Sequence, residues 1–120
     1  MNYLGTIIEE SLSDKTVLSK LDILSTKVEP IVPAHATPWL TQWTLHKVSI
    51  SEGEAEDIAN VLSKSLEPNH WYADYKNETT HYIIFLNKVF KIDRLSPLAY
   101  KEVKQYGLTL GIPEHQLPFK

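Results

Sequence analysis

The chain has 120 residues, 42% hydrophobic and 22% charged, enough for one domain to bury a single core without covalent staples. Cysteine is absent, which excludes disulfides, thiolate zinc sites, iron–sulfur clusters and a cysteine nucleophile. The net charge is −3 and Arg94 is the only arginine, so the basic, arginine-bearing face of a nucleic-acid binder is missing.

The opening "MNYLGTIIEESLSDK" has neither a basic n-region nor a long apolar stretch. No apolar run reaches the ~20 residues that span a bilayer, so a cytoplasmic protein with no membrane association is expected. Leu4, Ile7, Ile8 and Leu12 fall at helical spacing and predict a short helix over residues 2–12, weakened by Gly5. "LDILSTKVEPIV" leans towards a strand, blurred at its end by Pro30 and Pro33, and "PAHATP" predicts an irregular connection. In "WTLHKVSI", Trp43 and Leu45 point one way and Val48 and Ile50 the other. A strand buried on both faces, or a bulge near His46 and Lys47, accounts for that pattern.

Ser51 with Glu54 three residues on predicts a capping box opening a helix from about Glu52 to Leu66. Its apolar stripe is Ala55, Ile58, Ala59, Leu62 and Leu66. "HWYADYKNETTHYIIFLNKVFKIDR" then divides into three strands joined by turns, with apolar residues on both faces of "HYIIF", as in a central strand. Ser96 and Pro97 open a last helix as N-cap and first residue, and Gly107 suits its left-handed end. Leu108, Leu110, Ile112, Leu117 and Phe119 predict a packed tail. The order αβ–βα–βββ–α predicts an α+β fold, a mostly antiparallel sheet of about five strands with helices packed against it, as a single domain over residues 1–120.

At "TPWLTQWTLH", "HWYADYKNETTHYIIFLNKVFKIDR" and "GIPEHQLPF" the chain resembles a family of small bacterial and archaeal proteins with WYADFKN, HYIIF and IPEYQL-type segments. The resemblance runs from about Glu29 onward and implies one compact domain. It implies no activity and carries over no functional residue.

The five histidines, His35, His46, His70, His81 and His115, form no HxH, HxxxH or HExxH pattern, so neither a metal site nor a cofactor is expected. No GxSxG, SxxK or phosphate-cradling glycine loop is present. One pair follows from strand geometry. If Asn77 and Glu78 form a two-residue hairpin loop, Asp74 lies directly opposite His81, a carboxylate beside an imidazole, as general-base chemistry requires. A four-residue loop puts Lys76 opposite His81 instead and removes that pair. Most of the aromatic side chains read as core, while Trp39 and Trp43, led into by a proline-flanked loop, are placed to line a cleft.

The expected function is a non-enzymatic binding or regulatory module taking a small molecule or a protein partner. Its cleft would lie between the sheet and the 33–39 loop, with His35, Trp39, Trp43, His46, Asp74 and His81 as contacts. The rivals are a small acid–base enzyme using Asp74 and His81, and a homo-oligomer joined through a sheet edge.

Overall fold

The computed structural model describes residues 1–33, 37, 39–68 and 70–118. The strands are β1 (Tyr3–Ile8), β2 (Asp22–Pro30), β3 (Gln42–Ile50), β4 (Ala73–Lys76), β5 (Thr80–Phe85) and β6 (Lys88–Asp93), with helices α1 (Ala55–Ser65) and α2 (Pro97–Thr109). They form one six-stranded sheet in the order β2-β3-β1-β4-β5-β6, and every neighbouring pair is antiparallel. The fold is thus α+β with an antiparallel sheet, one strand larger than the sequence pattern predicts.

The extra strand is β1, where a helix is expected. Tyr3, Gly5 and Ile7 turn to one face of the sheet and Leu4, Thr6 and Ile8 to the other, a period of two that also satisfies the apolar spacing. The β-branched run Thr6–Ile8 favours the strand, and both edges of β1 are taken, by β3 and by β4. Gly5 makes the second pairing close. A Cβ there would meet the Asp74 carbonyl oxygen and lie 2.7 Å from Tyr75 Cβ.

Helix α1 covers one face. Ala55, Ile58, Ala59 and Leu62 pack on Tyr3, Ile7, Val48, Ile50, Tyr75, Tyr82 and Ile84. The helix begins three residues later than the capping pattern predicts. Ser51 Oγ donates to Glu54 Oε1 at 2.9 Å, side chain to side chain, and residues 51–54 form a turn before Ala55. On the opposite face α2 packs Val103 against Ile83, Phe85 and Ile92. Its start is as predicted, with Ser96 Oγ accepting from Ala99 N–H and Pro97 in the first turn. Its end is Gly111, not Gly107. Gly111 adopts φ 84°, its N–H donates to Leu108, and Ile112 N–H donates to the Gly107 carbonyl, the paired bonds of a left-handed helix terminus. Gly107 stays inside the helix beneath Leu117, which with Ile112 anchors the returning tail in the core. Leu108 is exposed instead, and Phe119 lies outside the described residues.

Strand β3 alternates regularly through His46 and Lys47; the bulge lies in its partner β2, between Ile23 and Ser25. β2 is the outermost strand on its side and is exposed along nearly all its length, Ile23, Leu24 and Val28 included. No helix among the described residues is long and apolar enough to cross a membrane.

Two substitutions test this packing by urea denaturation. Leu62→Ala, at a fully buried site beneath α1, is expected to cost about 2–5 kcal/mol; a loss under about 0.5 kcal/mol would mean the helix faces water. Gly5→Ala, neutral to mildly stabilising in an ordinary open strand, is expected to cost about 1–3 kcal/mol or more, because the new methyl group must displace backbone.

Candidate functional site

Helix α2 spans only the β5–β6 part of its face. Beyond it, over β1, β3 and β4, the sheet carries a cleft of about 340 Å³. The floor comes from alternate residues of three strands: Thr6 and Ile8, Trp43 and Leu45, and Asp74. His70, Trp71 and Tyr72, which lead into β4, form one wall, and His115, Gln116 and Pro118 of the returning tail form another.

Asp74 is the only fixed charge in this lining among the described residues. Its position depends on the hairpin that follows it. Asn77 Oδ1 accepts from the N–H groups of Thr79 and Thr80, and Asn77 N–H donates to the Thr80 carbonyl, so the chain reverses at Glu78 and Thr79. Arg94 clamps this turn through the Asn77 carbonyl. The register is therefore Tyr75↔Tyr82 and Lys76↔His81, with Asp74 opposite Ile83. Direct opposition of Asp74 and His81 does not occur, yet the two side chains meet across the diagonal, His81 Nε2 lying 2.7 Å from Asp74 Oδ2. Diagonal positions on one face are close enough for long side chains to bridge.

Behind Asp74 the contact continues into the protein. His81 is only 4% exposed, and its Nδ1 lies 3.0 Å from the hydroxyl of Tyr100 on α2. A phenol donating to Nδ1 and an Nε2–H donating to Asp74 satisfy both ring nitrogens with a neutral imidazole. The Asp74 side chain is one-third exposed (33%) at the cleft, so the Tyr100–His81–Asp74 chain has a buried imidazole at its middle and opens to the cleft at its carboxylate end.

The aromatic walls are similarly fixed. Trp43 Nε1 donates to Thr37 Oγ1 at 2.9 Å, and its ring stands 5.5 Å from that of Trp71. The Tyr72 hydroxyl donates to the Gln116 carbonyl at 2.5 Å, tying the tail across the cleft. Burial, with the Asp74 charge second, pushes the Tyr72 phenol well above its ordinary value. His70 is held at φ 64° with its ring against Trp39, and its buried Nδ1 has no hydrogen-bond partner among the described residues.

Of the six residues singled out from sequence, Trp43 and Asp74 line the cleft and His81 stands immediately behind it. Trp39 is largely exposed and reaches the site only through its contact with His70. His46 is on the opposite face of the sheet, buried between Thr26 Oγ1 at 2.8 Å and Glu9 Oε1 at 2.9 Å. His35 lies outside the described residues. The lining omitted by the sequence reading is Thr6, Ile8, Leu45, His70, Trp71, Tyr72 and the tail. An alternating reading of "YLGTII" would have brought Thr6 and Ile8 to the face of Leu45. No three His, Asp or Glu side chains converge as metal ligands among the described residues. Comparison with protein-family models, curated proteins and solved structures found no match. The chemistry of the site is therefore read from its own residues.

Tyr75, fully buried with its hydroxyl donating to the Ala55 carbonyl, shares the upward shift of Tyr72, chiefly through burial. Both phenols are raised in the fold, so their contribution to stability is fully present below the ordinary phenol value of about 10 and is lost as pH rises through the folded values. Spectrophotometric titration is expected to show at least two tyrosines, Tyr72 and Tyr75, ionising only at or after alkaline unfolding. Tyr72→Phe is expected to lower the number of such tyrosines by one, and ordinary titration of all six would refute the packing described.

Proposed function

We propose that the protein is a non-enzymatic binding module that takes a small ligand into the cleft between the β1–β3–β4 floor and the returning tail. One observation carries this reading. A mostly apolar, aromatic-walled concavity holds a single carboxylate among the described residues, and that carboxylate is fixed from behind by the buried His81, itself held by Tyr100. Ligand sites have this composition: apolar area for affinity and a few immobilised polar groups for orientation.

A second reading is acid–base chemistry at the same place, supported by the Tyr100–His81–Asp74 chain. In that reading Asp74 handles the proton and His81 is a positioning residue, because both imidazole nitrogens are already engaged. No serine or lysine lines the cleft among the described residues to act as a nucleophile, which favours binding.

Ligand binding to the native state raises the melting temperature by linkage, whatever the ligand's chemistry. A thermal-shift screen against a metabolite library is expected to yield stabilising compounds for the wild type but not for Leu45→Trp, which fills the floor of the cleft. Compounds that stabilise both proteins equally, or a screen with no stabiliser, would overturn the assignment. Bound compounds are expected to be recovered unchanged after incubation; conversion abolished by Asp74→Asn would select the acid–base reading.

A further inference from the structure

We propose that the cleft selects a small organic cation, a quaternary ammonium or alkylated amine, seated on the rings of Trp43, Trp71 and Tyr72 beside Asp74. This inference rests on the reading of the cleft as a ligand site and specifies the ligand's class.

Charge is the first argument. Among the described residues Asp74 is the only Asp, Glu, Lys or Arg side chain in the lining, and its sole ion-pairing partner is His81. A neutral His81 ring satisfies both of its hydrogen bonds, as set out above, and in that form the pair carries one negative charge, on Asp74 at the cleft. With no lysine or arginine in the lining among the described residues, an anionic ligand would meet an uncompensated carboxylate. A neutral apolar ligand would cover the outer carboxylate oxygen and leave it without a partner, at the usual penalty for burying an unsatisfied polar group. A cation removes both costs.

The walls supply the second argument. The polar atom of Trp43 is spent on Thr37 and that of Tyr72 on the Gln116 carbonyl, so what these residues present to the cleft is ring. Aromatic faces carry a negative quadrupole and attract cations, most of all those whose alkyl groups make them easy to desolvate. The tilt of 54° between Trp43 and Trp71 makes a corner and not a flat stack, which suits a rounded onium head over a planar ring system. A metal ion is disfavoured, since one carboxylate among indole and phenol rings offers far fewer oxygens than Ca²⁺ or Mg²⁺ requires.

The test uses the full chain and three probes: tetramethylammonium, choline, and 3,3-dimethylbutan-1-ol, the uncharged isostere of choline. Binding is followed by tryptophan fluorescence and by calorimetry. The wild type is expected to bind both cations and to hold the alcohol at least about tenfold more weakly. Asp74→Asn is expected to weaken the cations about tenfold while leaving the alcohol unchanged, and Trp43→Leu to weaken them without removing any charge. The wild-type comparison of choline with its isostere decides the matter even where a variant folds poorly. If the alcohol binds as tightly as choline, cation selection is overturned while the cleft stands as an apolar site. If none of the three binds, the cation proposal fails, and the library screen with Leu45→Trp decides separately whether the cleft binds anything.

Discussion

The sheet is two antiparallel three-stranded halves, β2-β3-β1 and the meander β4-β5-β6, and they are joined along one short seam. That seam is three residue pairs long: Leu4↔Lys76, Gly5↔Tyr75 and Thr6↔Asp74. It closes because position 5 carries no side chain, so the backbone of β4 can approach where a methyl group would stand. On one side of the seam the rings of Tyr3, Tyr75 and Tyr82 pack edge to face and at a tilt under α1. On the other, the same register sets Thr6 of β1 beside Asp74 of β4, which is the floor of the cleft. Core and site are therefore fixed by one backbone contact, seen from its two faces.

Burying a histidine sets the second constraint. An imidazole has two ring nitrogens, and inside a protein both need partners. The chain solves this twice in the same way, with a hydroxyl at Nδ1 and a carboxylate at Nε2: Tyr100 and Asp74 about His81, Thr26 and Glu9 about His46. The two arrangements sit on opposite faces of the sheet and differ in their surroundings. Asp74 borders the cleft, whereas Glu9 lies on a 3-10 turn with Lys15 3.8 Å away, so the negative charge there already has a neighbour. The likeness shows that such a chain is first a way of burying imidazole. It gains a further use only where its carboxylate end meets a concavity.

Much of the fold is legible in the sequence wherever local signals and burial agree. The stripe from Ala55 to Leu62, the Ser96–Pro97 start and the two apolar faces of "HYIIF" each name their element correctly. Tyr3–Ile8 is not legible by the same means, because Leu4, Ile7 and Ile8 satisfy both periods and only pairing with β3 and β4 decides between them. The Asp74–His81 contact is legible for an instructive reason. The expected register is off by two residues, with His81 facing Lys76 instead of Asp74, and a slip of two keeps both side chains on one face. The other half of the cleft depends on the turn at Gly111 bringing His115, Gln116 and Pro118 back across the sheet. Nothing local in those residues encodes where they land.

The exposure of β2 sets how the molecule opens. A strand that buries almost nothing on either face is held mainly by its ladder to β3, so its backbone amides belong to the least protected class for hydrogen exchange. Its departure would take Thr26 from His46 and uncover the edge of β3, while the seam at Gly5 and the floor of the cleft would stay closed. The protein thus has a labile margin and a persistent centre, and the cleft belongs to the centre.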